Sequence, residues 1–220
     1  DILSYQKEYA GYRNDYIEAT KLTNHDEDRA ASKLGKSADK CKLAAAMLLT
    51  AAGSPYIYYG EELGLYGTKG NGDEYVRAPM LWGDSYVTKY TDKVDKNMAS
   101  SIKSVDKQKE DTKSLLNTYL MFTQLRNTYP ALAEGKMEKH PVYNESKEKD
   151  FVSIAAWYMV KDNEKLLVIH NLKGSAVELP LTDKFEKVIA VSGNVQQKGE
   201  SGNATFKMGA YSSLVLKVTK

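Results

Sequence analysis

Apolar positions recur at helical spacing through much of the first 130 residues and alternate with polar ones after that. Ile2, Leu3, Tyr5 and Tyr9 suggest the tail of a helix over Asp1–Tyr12, with Gly11 as its C-cap. Tyr16–Thr23 is β-prone and delivers Asn24, His25 and Asp26 to the C-terminal end of a strand. Ser37 is a good N-cap for a helix over Ala38–Ala52, whose apolar face reads Leu43, Ala44, Met47, Leu48 and Ala51. Gly53 and Pro55 interrupt that helix, and Tyr56–Tyr59 reads as a short buried strand. Strand, helix and strand in this order form a βαβ unit with a right-handed crossover. Gly64, Gly67, Gly70 and Gly72 then mark a loop, and Tyr86–Lys113 reads as a polar, solvated excursion with room for one helical turn. Thr112–Asn127 is an amphipathic helix with Leu115, Leu116, Tyr119, Leu120, Phe122 and Leu125 as its stripe, stopped by Tyr129-Pro130.

Beyond that point the period becomes two. Phe151–Val160, Leu166–His170, Val177–Leu179, Lys187–Val191, Thr205–Lys207 and Ser213–Val218 read as strands separated by turn residues. Short strands at such spacing predict an antiparallel β-sandwich. The boundary falls within Ala131–Lys139, giving an α/β domain over residues 1–133 and an all-β domain over residues 134–220.

Composition narrows the function classes. The chain has 220 residues and a formal charge of +2, too near neutral to point to nucleic acid or an anionic membrane surface. No apolar run reaches the roughly 18 residues of a transmembrane span. Cys41 is the only cysteine and lies in an apolar helical pattern, so an internal disulfide and a cysteine-based zinc site are excluded. His140 and His170 lack metal-ligand spacing and are assigned no function, and Trp157 is expected in the sandwich core.

Three polar stretches carry candidate chemistry. Asn24-His25-Asp26 offers an amide, an imidazole and a carboxylate at the end of a strand, where α/β folds place ligands. An Asx-type loop cap is the alternative reading of the trio. Gly53-x-Pro55-x-Ile57-Tyr58-Tyr59-Gly60-x-Glu62-x-Gly64 follows about thirty residues later, and then Arg77-x-Pro79-Met80-x-Trp82. With Leu125-Arg126 and Tyr129-Pro130-Ala131-Leu132, these ordered motifs resemble the α-amylase family of glycoside hydrolases, particularly surface amylases and neopullulanase-like enzymes of gut bacteria.

The resemblance implies the C-terminal end of a (β/α)8 TIM barrel followed by the sandwich. A full barrel takes about 250 residues, and residues 1–130 supply its last two strands, so an N-terminal remainder, on the same or a separate chain, is expected as a partner. The resemblance also implies an α-glucan substrate, such as starch or maltooligosaccharides, cleaved at α-1,4 bonds with retention. Asp26 maps to the transition-state stabiliser, and His25 to a residue bonding the same sugar ring, with Asn24 beside them. The nucleophile, the general acid/base and the usual calcium positions belong to earlier motifs, leaving this chain without a cofactor of its own. Asp73 and Arg77 either bind sugar hydroxyls in donor-side subsites or form a loop-fixing salt bridge. Arg29 is expected to pair with a carboxylate or contact ligand. Glu61 and Glu62, at a strand end, form a poor dyad because neighbouring strand residues point opposite ways; Glu62 is expected to bond backbone groups. Trp82 is expected to pack against the barrel. The family also suggests an extracellular or cell-surface location. The alternatives are a transglycosylase, an α-1,6-acting relative, or a non-catalytic carbohydrate-binding module.

Overall fold

The computed structural model describes residues 2–13, 15–83, 98–143 and 151–219. The chain divides into two compact units, one formed by Asp1–Ala19, Leu49–Ser54 and Phe122–Lys220 and the other by Thr20–Leu48 and Pro55–Met121.

Helix α1 (Ile2–Tyr9) comes first, followed by strand β1 (Ala19–Lys21), which is shorter than the β-prone run. A short helix α2 (Ala30–Lys33) comes next, and α3 (Ala38–Thr50) follows. The Ser37 hydroxyl caps α3 by accepting from Lys40 N at 3.4 Å. Cys41, Leu43, Ala45, Ala46, Leu48, Leu49 and Thr50 are its buried residues, whereas Ala44 and Met47 are only half-buried. The helix is apolar on most sides, so the periodicity does not pick its inner face. Strand β2 (Ser54–Tyr56) pairs with β1 in a two-stranded sheet. Residues 56–59 are not the buried strand expected: Tyr56, Ile57 and Tyr59 are exposed, and β2 has one strand neighbour among the described residues.

The remaining helices are α4 (Asp73–Val76), α5 (Met98–Ser101), α6 (Val105–Glu110), α7 (Leu115–Thr128) and α8 (Pro130–Glu134). The excursion expected over Tyr86–Lys113 is therefore helical in its second part, while residues 86–97 lie outside the described residues. Gln108 on α6 is buried rather than solvated. Its amide donates to Leu63 O at 3.0 Å and Lys103 O at 2.9 Å, and its carbonyl accepts from Leu116 N at 3.1 Å. On α7 Leu120 is exposed, outside the expected stripe. Pro130 both ends α7 and begins α8, where a missing N–H costs nothing.

The C-terminal strands are β3 (Lys136–Lys139), β4 (Ile154–Lys161), β5 (Glu164–Asn171), β6 (Val177–Leu181), β7 (Phe185–Ser192), β8 (Val195–Lys198), β9 (Ala204–Met208) and β10 (Ser213–Val218). They form a five-stranded sheet ordered β3-β4-β5-β10-β7 and a three-stranded sheet ordered β6-β9-β8, with antiparallel pairing throughout. Ile154, Ala156, Tyr158, Leu167 and Leu214 from the larger sheet meet Leu179, Phe206 and Met208 from the smaller in one apolar core. This is the sandwich that the alternation predicts.

Trp157 is buried, but on the opposite face of β4 from that core, and its indole donates to Thr50 O at 3.2 Å. Helix α8 lies against β4 and β5, so the central strands are covered on both sides. His170 is buried there too, with Nδ1 2.8 Å from Ser213 Oγ and Nε2 3.3 Å from Thr50 Oγ1. Burial pushes its pKa down to about 3, so it stays neutral in the folded chain. In the unfolded chain it titrates near its ordinary value of ~6.5. Its stabilising contribution is thus complete above that value. On acidification toward about pH 3 it is lost at roughly 1.4 kcal/mol per pH unit. Urea unfolding at about pH 7 and about pH 5 should show a smaller acid-induced loss for H170Q than for the wild type.

Candidate active site

The loop after β1 is built by short polar contacts. Asn24 Oδ1 accepts from Asp26 N at 2.8 Å, closing an Asx turn, and the Thr23 hydroxyl donates to Asp28 O at 2.8 Å. These bonds turn His25 and Asp26 outward, with side-chain exposures of 63% and 57%, and His25 Nε2 lies 3.1 Å from Asp26 Oδ2. The trio is therefore an Asx cap and a solvent-facing polar cluster at once.

A second loop closes on the first. Gly67 O accepts from Arg29 N at 3.0 Å, and Lys69 N donates to Asp28 Oδ1 at 2.6 Å. Gly67 is required at that point, because a Cβ there would lie 1.8 Å from Tyr75 O. The docked loop brings Lys69, Asp73 and Arg77, each four residues apart, beside Asp26. Arg77 Nη2 lies 3.0 Å from Asp26 Oδ1 and 2.8 Å from Asp73 Oδ2, while Arg77 Nε donates to His25 O at 3.2 Å. Lys69 Nζ lies 3.3 Å from Asp26 Oδ1 and also pairs with Asp73. The Lys69 hydrogen bond holds the Asp26 carboxyl below its ordinary pKa against an opposing desolvation, with His25, the Lys69 charge and the Arg77 hydrogen bond adding to the lowering. Asp73 is held low mainly by Lys69 as well. Two carboxylates and two cations thus form a closed, neutral quartet with His25 at its edge.

Asn24, His25, Asp26, Asp73 and Arg77 all lie in this cluster, and Asp73 and Arg77 do form a salt bridge with each other. Lys69 was missed. Its spacing from Asp73 was visible, but its bond to Asp26 spans 43 residues of chain.

Other candidates are spent on structure. Arg29 is 1% exposed and makes no carboxylate ion pair among the described residues, one of the two roles expected for it. Its guanidinium sits 4.6 Å from the Tyr58 ring centre and 5.0 Å from that of Tyr59, and Nη1 donates to Tyr59 O at 2.8 Å. Glu61 and Glu62 lie in a 3-10 turn between two left-handed glycines, Gly60 and Gly64, rather than on a strand. Glu61 is buried and accepts from Tyr119 Oη at 2.7 Å, and burial pushes its pKa up to about 7. Glu62 is half-buried, and burial raises its pKa against a lowering influence of the backbone at Gly60 and Glu62. Trp82 is exposed rather than packed.

Residues 3–135 match the model of the α-amylase catalytic domain, and residues 154–215 match that of the alpha-amylase SusG C-terminal domain. The chain belongs to the α-amylase family. This family member is 70% identical over 218 residues to "Alpha-amylase SusG" of Bacteroides thetaiotaomicron, covering 99% of the chain and 32% of that relative. It is 29% identical to "Alpha-amylase 3" of Dictyoglomus thermophilum, covering 99% of the chain and 42% of the relative. Among solved structures, the α-amylase from H. orenii superposes with a TM-score of 0.80 at 28% identity, over 97% of this chain and 43% of that one. The chain therefore spans less than half the length of these relatives, and its fold is the C-terminal end of the catalytic barrel followed by the β-sandwich.

Proposed function

We propose that the protein carrying this chain is a retaining glycoside hydrolase that cleaves α-1,4 bonds in starch, maltooligosaccharides or related α-glucans. The observation that carries this reading is Asp26, an ionised, solvent-facing carboxylate paired with His25 and fixed by Lys69 and Arg77. A retaining glycosidase passes through an oxocarbenium-like transition state between a nucleophile and a general acid/base. A third carboxylate beside the developing charge lowers that barrier electrostatically. Asp26 is the stabiliser in this reading. His25 and Asn24 line the same subsite, with Asp73 and Arg77 on the donor side. The nucleophile and acid/base lie on the N-terminal remainder, as does any calcium site. The family resemblance supports a location outside the cell. No helix among the described residues is long and apolar enough to cross a membrane.

A second reading is transglycosylation. The chain is 32% identical over 169 residues to a protein named "4-alpha-glucanotransferase" from Thermotoga maritima. Subsite loops rather than catalytic acids separate the two activities. The test is product analysis of the full-length protein on soluble starch and on pullulan. Steady release of reducing ends from starch supports the hydrolase. Redistribution of maltooligosaccharide lengths without net reducing ends supports the transferase. Preferential cleavage of pullulan at α-1,6 bonds overturns the α-1,4 assignment.

A further inference from the structure

We propose that Lys69 is a positioning residue for the Asp26 carboxylate, holding it in the orientation that the reaction requires. This rests on the reading of Asp26 given above. Asp26 sits at the tip of an exposed loop, where an unconstrained carboxylate rotates freely about two side-chain bonds. Lys69 and Arg77 both address one oxygen, Oδ1, and His25 addresses the other, Oδ2, which fixes the carboxylate plane.

The two cations are anchored differently. Arg77 divides its guanidinium among Asp26, Asp73 and the His25 carbonyl, and Lys69 divides its ammonium between Asp26 and Asp73. Lys69 starts from a backbone N–H held by Asp28, whose own carbonyl is held by Thr23. Its side chain is the least exposed of the quartet, at 34% against 41% for Arg77, 50% for Asp73 and 57% for Asp26. The ammonium therefore reaches Asp26 from a fixed point tied into the same loop that carries it. Exposed ion pairs of this kind contribute little to folding. A stability role alone would leave turnover nearly untouched, whereas misorienting a catalytic group costs about 100-fold in rate.

The test uses the full-length protein and three variants on soluble starch. K69M should lower kcat by roughly 10- to 100-fold, with KM changed by less than about threefold and the melting temperature nearly unchanged. K69R, which keeps the cation, should restore most of the loss. A K69M enzyme with wild-type kcat overturns the proposal, as does a loss confined to KM. A folded K69R enzyme as impaired as K69M overturns it too. D26N separates this idea from the reading beneath it. If D26N turns over starch normally, the assignment of Asp26 fails. If D26N is inactive and K69M is not, only the role of Lys69 fails.

Discussion

In the full-length protein D26N should lose about 100- to 1,000-fold in kcat on starch while binding maltooligosaccharides nearly as well as wild type. Asparagine keeps the size of the side chain and one acceptor oxygen, turns the other acceptor into an amide donor and removes the charge. The Asx turn survives because Asn24 bonds the backbone N–H of residue 26, not its side chain. The quartet then carries two cations and one carboxylate, Asp73. A net positive field beside the cleaved sugar opposes the charge that develops in the transition state. Because cations hold the Asp26 carboxyl low, with Lys69 the main contributor, the wild-type group stays charged to below its ordinary pKa. Steady-state kinetics beside equilibrium glucan binding checks the prediction, and an equal loss of binding would make Asp26 a substrate-binding residue only.

The second large effect is on stability. Arg126 on α7 is 8% exposed and donates to Leu49 O at 3.2 Å, Ala51 O at 3.0 Å and Ala133 O at 3.2 Å, as well as to Gly53 O. Leu49 lies in the last turn of α3, where carbonyls have no helical donor, and Ala133 lies in the last turn of α8. One guanidinium therefore caps two helix ends and the segment after α3. R126M keeps the packing volume but leaves four carbonyls short of a donor, each costing about 1–3 kcal/mol if it stays dry. With partial rehydration, the expected destabilisation is about 3–5 kcal/mol by urea unfolding. R126K should recover only part of it, because an ammonium lacks the planar fork that reaches several carbonyls. A change below about 1 kcal/mol would mean that water replaces the guanidinium at those carbonyls.

What could be read from the sequence followed from how each residue is held. Strands β4, β5, β6, β9 and β10 have at least one buried face, and that leaves an apolar signature; β7 is largely exposed and shows through its β-branched Val188, Ile189 and Val191. Strands β3 and β8 were invisible. Both are polar, largely exposed and at sheet edges, where no core selects apolar residues. Alternation places Trp157 in the sandwich core, and the structure puts it on the other face of β4, because alternation does not show that β4 is covered on both faces. The cluster around Asp26 was legible through the ordered motifs it shares with the α-amylase family. Lys69 was not, because a surface lysine gains its meaning from a partner 43 residues away. The turn holding Glu61 had a local signal in Gly60 and Gly64, since glycine adopts left-handed backbone without penalty.

The most direct measurement compares wild type and D26N for two ligands of the full-length protein. One is a maltooligosaccharide, and the other is its analogue with a cationic nitrogen at the cleavage position. A transition-state stabiliser should bind the cationic analogue more weakly after substitution by the same factor that kcat/KM falls, with little change for the neutral glucan. Equal weakening for both ligands, or none for either, would contradict the role assigned to Asp26.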